Sequence, residues 1–256
     1  MTVTFDEASH RLRVDAGSFS ALAALAAGTT PGPTTDELVG LTRAGAVMDG
    51  RPHAVLEPAL AAVAAPLAHL GLVVSGGRGA RLHQMWLSVV SAVLADVGDG
   101  NYDLVCIGSE FVPTTVARLT RLGLRPRLPG GGPPDGWPPD RRLPVETGLL
   151  DALCSTQDEG RFDAIRSLAA RVPESWPTLA SQLDAGEWRF WVADVTWPHG
   201  SRRLVVLDTQ AGLLTPVGDH ATMLVPTTPT DVWRRLTSIL PSDDDLAGLP
   251  PAPRAG

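Results

Sequence analysis

The chain has 256 residues, 44% of them hydrophobic, with a formal net charge of −7 and no lysine, so that all 21 basic residues are arginine. That length suits one large domain or two small ones, and the acidic balance argues against nucleic acid, which needs clustered cations to displace counterions. Cys106 and Cys154 lie far apart without a CxxC pattern and fit buried thiols in a reducing cytoplasm. No run nears the ~18 apolar residues that span a bilayer, and no basic segment precedes an apolar run as in a signal peptide.

In chain order, Val3 to Asp6 and Arg11 to Asp15 read as a short hairpin around Glu7 to His10, and Ser18 reads as the cap of an Ala/Leu helix reaching Ala27. A second helix opens at Thr34 or Thr35 with Asp36 and Glu37 in its first turn, carries Leu38, Leu41 and Val47 inward, and stops at Asp49-Gly50. A third helix is expected over Leu56 to Leu70, with Pro66 kinking it or ending it early. Beside its apolar face, His69 reads as a core or boundary histidine. Leu72 to Ser75 and Ala80 to Leu87 are strands about a glycine-rich turn. That turn, SGGRGA, has neither the Walker spacing nor GxGxxG, so a hairpin is favoured over a phosphate loop. Leu87 to Val97 is ambiguous between strand and helix and is assigned to strand. The Asp99-Gly100 turn joins it to Tyr102 to Ile107, and Val112 to Leu122 is a helix with Pro at its start and Thr as cap.

Arg125 to Pro144 is rich in Pro and Gly and reads as a linker or long surface loop. Three short helices follow, Glu146 to Cys154, Arg161 to Arg171 and Trp176 to Leu183. Glu187 to Trp197 then alternates as a strand with two apolar faces: Trp191, Ala193, Val195 and Trp197 on one, Trp188, Phe190 and Val192 on the other. Arg202 to Thr209, Leu213 to Val217 and Thr222 to Val225 are further strands, and Thr230 to Leu240 takes the helical period. The tail from Ser242 is acidic and then Pro-rich, a disordered composition.

Tyr102 to Leu122 and Thr222 to Leu240 share an order: a short aliphatic strand, a Thr/Pro corner, and a helix containing Val-x-Arg-Leu-Thr or Val-Trp-Arg-Arg-Leu-Thr. This suggests an α+β protein of duplicated, pseudo-two-fold halves with a central antiparallel sheet. The expected parts are an N-terminal half over 1–124, the 125–144 linker, a C-terminal half over 145–241, and a tail over 242–256.

The sequence contains no GxSxG, no HExxH and no paired Cys/His set. Asp194, His199, Asp208, Asp219 and His220 form the nearest constellation, and a metal-assisted hydrolase using Asp194, His199, Asp208 and His220 is the enzyme alternative. His199 and His220 sit beside Gly and Pro, which favours solvated turn residues. Asp208 ends an apolar strand before Gly212, where a carboxylate accepts turn amide hydrogens more readily than it does chemistry. No catalytic residue, metal ligand or cofactor is assigned.

Two stretches carry a resemblance. One is Leu38-Val39, Arg43-Ala44-Gly45-Ala46-Val47, Asp49-Gly50 and the Leu56 to Leu70 segment. The other is a long strand, then Val205-Val206-Leu207-Asp208-Thr209 with Gly212, a strand into Val225-Pro226, and the final helix. In order and spacing they are similar to the EspG family, the cytosolic substrate chaperones of ESX (type VII) secretion in actinobacteria. In place of the family's DTxxGRY-like continuation this chain has Gly212-Leu213-Leu214. The resemblance implies a quasi-symmetric α+β fold with two helical bundles, no catalysis, and binding to the tip of a helical secreted partner, PE–PPE-like or WxG-like. Trp188, Phe190 and Val192 are the candidate partner-binding residues, since exposed aromatics anchor interfaces. The competing reading is that the protein's own helices cover both faces of their strand.

Overall fold

A computed structural model describes residues 3–29, 35–123, 142–155, 157–174, 176–217 and 223–246. The N-terminal elements are β1 (Thr4–Asp6), β2 (Arg11–Asp15), α1 (Ala16–Ala26), α2 (Thr35–Arg43), β3 (Val47–Met48), β4 (Arg51–Pro52) and α3 (Glu57–Ala64). An antiparallel meander follows, β5 (Ala68–Gly76), β6 (Gly79–Leu87), β7 (Val90–Gly98) and β8 (Asn101–Gly108), closed by α4 (Val112–Thr120). After β9 (Leu143–Pro144) come α5 (Thr147–Leu153), α6 (Asp158–Ala169) and α7 (Pro177–Asp184). A second meander, β10 (Trp188–Trp197), β11 (Gly200–Thr209), β12 (Gly212–Val217) and β13 (Met223–Thr227), is closed by α8 (Pro229–Ile239), with a short α9 (Asp243–Leu246) behind it. The protein is α+β. Eleven of these strands form one antiparallel sheet in the order β1-β2-β8-β7-β6-β5-β10-β11-β12-β13-β9, so the meanders meet at β5 and β10.

Strand alternation decides what each face buries. Leu70, Leu72 and Val74 of β5 lie opposite Val195, Ala193 and Trp191 of β10. With Met85, Leu204 and Val206 they pack beneath α4 and α8, through Val112, Val116, Val232 and Leu236. On the other face, Phe190, Val192, Val205, Leu207 and Leu214 lie beneath α5 to α7, while Leu12, Ala92, Leu94 and Leu104 lie beneath α1 to α3. A strand covered on both faces loses the apolar/polar alternation, as Trp188 to Ala193 show. No helix among the described residues is long and apolar enough to cross a membrane.

Several local expectations are corrected. The cap of α1 is Asp15, whose Oδ1 accepts from the Ser18 amide at 2.6 Å; Ser18 lies buried in the first turn. Helix α2 stops at Arg43, and Val47 instead enters the β3–β4 hairpin, where Asp49 (φ 50°) and Gly50 (φ 73°) supply the two positive-φ positions of a tight turn. The third helix does not reach Leu70: it ends early before Pro66, one of the two outcomes expected there, with α3 stopping at Ala64 and Ala68 to Leu70 beginning β5. Helix α4 follows a single 3₁₀ turn, Ser109–Phe111, with no side-chain cap, so the expected Thr cap is absent. The helix expected from Arg161 to Arg171 begins earlier, at Asp158, and ends at Ala169 as α6. Asp243–Leu246, read as part of a disordered tail, is helical, and the Arg202 guanidinium grips Asp245 at 2.8 Å. Most of the 125–144 linker, residues 218–222 and the tail beyond 246 lie outside the described residues; Leu143 and Pro144 pair with β13 as β9.

The glycine-rich 76–79 turn is a β5–β6 hairpin, and its glycines serve close packing. A Cβ on Gly77 would lie 2.8 Å from the Gly186 carbonyl oxygen. Gly77→Ala is therefore expected to destabilise the fold by about 1–3 kcal/mol, as overpacking does, read as a lower urea midpoint at unchanged slope.

Candidate functional site

The side chains of Trp188, Phe190 and Val192 are 5%, 0% and 1% exposed, beneath α5 to α7 with Leu179, Leu183 and Leu207. They belong to the protein's own core, as the competing reading has it: α5 to α7 cover this part of their face of the strand.

Two positions further along the same face of β10, the cover ends. Asp194 and Thr196 are exposed, and so is Arg203 opposite Asp194 on β11. The opening continues across the neighbouring strands, because Gly71 of β5 lies opposite both Asp194 of β10 and Gln84 of β6. Val73 and Leu82 sit beside them, Leu82 being 40% exposed. A Cβ added to Gly71 would meet no atom within 4 Å. The helices α1 to α3 and α5 to α7 thus leave a trough whose floor is the middle of the sheet. Spanning β6, β5 and β10, its floor is about 10 Å wide at ~4.8 Å per strand, close to the diameter of one α-helix.

One wall is aromatic. Trp86 stacks obliquely on Phe19 of α1 at 5.6 Å between ring centres and edge-on to His69 at 5.7 Å. Partial burial pulls the His69 pKa below its ordinary value, which favours a neutral ring. The other wall is charged. Arg203 lies 3.4 Å from Asp194 and 3.4 Å from Asp151 of α5. Burial raises the Asp194 carboxyl pKa; the nearby Arg203 opposes that shift and Asp151 adds to it. Burial pushes the thiol of Cys154, at the end of α5, up to about 11, which disfavours its thiolate at neutral pH.

The enzyme constellation is not assembled. Asp194 lies opposite Arg203, and Asp208 opposite Arg189, on β10 and β11. The two carboxylates therefore project from opposite faces of the sheet, about 17 Å apart along the strand at ~3.4 Å per residue. His199 stands exposed in the β10–β11 turn; Asp219 and His220 lie outside the described residues. Among the described residues no three His, Cys, Asp or Glu side chains gather as a metal site. Asp208, expected to bind turn amides, is 3% exposed beside Arg189, at 3.5 Å, and Arg189 also donates to the Thr120 carbonyl at the end of α4 at 2.8 Å.

Sequence reasoning missed the trough, though its signal is present. The even face of β10 turns from Trp188, Phe190 and Val192 to Asp194 and Thr196, and Gly71 interrupts an aliphatic strand. No protein-family model matches the chain, and no curated protein matches it.

Proposed function

We propose that this chain is a non-enzymatic adaptor that docks a helical partner in the trough between its two helix groups, acting as an EspG-like chaperone of type VII secretion substrates in the cytoplasm. The observation that carries this reading is the floor at Gly71: a central strand of a large sheet, flanked by helices on both sides, where among the described residues an added Cβ would meet no atom within 4 Å. Sheet surface of that kind is ordinarily covered by the protein itself, and an uncovered, partly apolar stretch marks an interaction site. The sheet order supports the same reading. Two four-stranded meanders, each closed by a helix and joined through β5 and β10, are the order expected of pseudo-two-fold halves. In this reading the groups α1 to α3 and α5 to α7 serve as the two helical bundles. The partner is a helical secreted protein or heterodimer, PE–PPE-like or WxG-like, held soluble before export.

Gly71→Trp tests this directly. Its side chain enters open space from a strand residue and leaves the fold at wild-type stability in a thermal melt. In cells of the source organism, tagged wild-type protein retains a helical type VII substrate on purification, and the variant loses it, with affinity down by about 2 kcal/mol or more. Equal retention by both proteins, or a wild-type protein that holds no such substrate, refutes the proposal.

A further inference from the structure

We infer that the helix accepted by the trough is cationic: an amphipathic helix whose apolar stripe is flanked by lysine or arginine. This rests on the adaptor reading and adds the charge of the partner. The floor supplies apolar area at Val73, Leu82 and Trp86 and a close approach at Gly71. Its charged groups among the described residues are unbalanced. Asp194 and Asp151 share one cation, Arg203, at 3.4 Å each. Beside Leu82 on the same face, Asp96 is engaged only by amides: its Oδ2 accepts from the Leu82 N–H at 3.3 Å and its Oδ1 from the Gly98 N–H at 2.8 Å. His69, on the aromatic wall, is held toward its neutral form. Asp194 and Asp151 outnumber the one guanidinium of Arg203, and Asp96 on the adjoining strand β7 adds a further carboxylate, so the charge among the described residues is net negative, and Asp194 gains most from a further cation. A partner helix with acidic flanks meets uncompensated like charge as water leaves the interface, and one with basic flanks completes the pairing.

The test uses two labelled helical peptides of about 20 residues with the same Leu/Ala stripe, one flanked by lysine and the other by glutamate, titrated with the full chain by fluorescence anisotropy. The expected result is preferential binding of the lysine peptide, weakened by added salt and abolished by Gly71→Trp. Asp194→Asn weakens it by about threefold, and Arg203→Gln tightens it by about the same factor, the size typical of partly exposed charge pairs. Both substitutions lie at exposed positions and leave the melt unchanged. Equal binding of the two peptides, or preference for the glutamate peptide, with Gly71→Trp still abolishing it, overturns the charge assignment and leaves trough docking standing. Binding of neither peptide, or lysine-peptide binding that Gly71→Trp leaves intact, overturns both.

Discussion

Trp188→Ala is expected to destabilise the protein by about 3–5 kcal/mol, the cost of removing a large buried aromatic from a core that cannot collapse around the void. The indole is 5% exposed at the start of β10, between the sheet and the helices α5 to α7. Those helices pack on the sheet through a cluster that also holds Trp176, Leu179, Leu183 and Phe190, so the void falls at the joint between layers. For a chain of this length each kcal/mol lowers Tm by roughly 2–4 °C, so a drop on the order of 10 °C is expected in a calorimetric scan. An unchanged Tm would mean that Trp188 is not covered as described, and would return it to the list of partner contacts. Because the effect acts through stability, any loss of partner binding by this variant should vanish when binding is measured well below its melting range. The Gly71→Trp variant behaves oppositely, stable yet unable to bind, so the pair separates core from interface.

The second large effect is a pH dependence centred on His83. This residue, opposite Leu72 of β5, is 3% exposed, and its Nδ1 accepts from the Asp96 N–H at 3.1 Å. Burial pulls its pKa from 6.5 to about 4; Arg81 acts in the same direction, and Asp96 opposes the shift. The folded state thus resists a proton that the unfolded chain takes up near pH 6.5. Stability is full above that pH and falls as the pH drops toward 4, by about 3 kcal/mol in all at 1.36 kcal/mol per unit. Urea denaturation between pH 7 and pH 4 measures this slope. In His83→Gln the amide oxygen can still accept from Asp96 and nothing titrates at that position, so the share of the slope in this window should disappear. A slope equal to that of the wild type would place the acid sensitivity elsewhere.

The C-terminal meander was the most legible part of the molecule. Trp188–Trp197, Gly200–Thr209 and Gly212–Val217 fall within two residues of the segments read from alternation, and α8 takes its place from Thr230 onward. Local chemistry dominates there: β-branched and aromatic residues of period two, separated by Gly, Pro and Asn/Asp-type turns. Helix ends were less legible. Asp15 and Ser18 are both good caps, and only the backbone path selects Asp15. Leu56 to Leu70 is apolar throughout, which suits a helix and a buried strand equally, so the switch at Pro66 follows from β5 having β6 and β10 to pair with.

What the sequence determined by itself is the class of fold and the order of the longer elements, because strand and helix periods are written residue by residue and depend on neighbours a few positions away. The tertiary structure decided which apolar faces are covered. Trp188 and Asp194 share one face of one strand, six residues apart; three helices that begin some forty residues upstream of Trp188 bury the first and leave the second in the open. The same placement sets Asp194 and Asp208 on opposite sides of the sheet and leaves Gly71 uncovered. Coverage is a property of contacts between distant segments, and no local pattern encodes it.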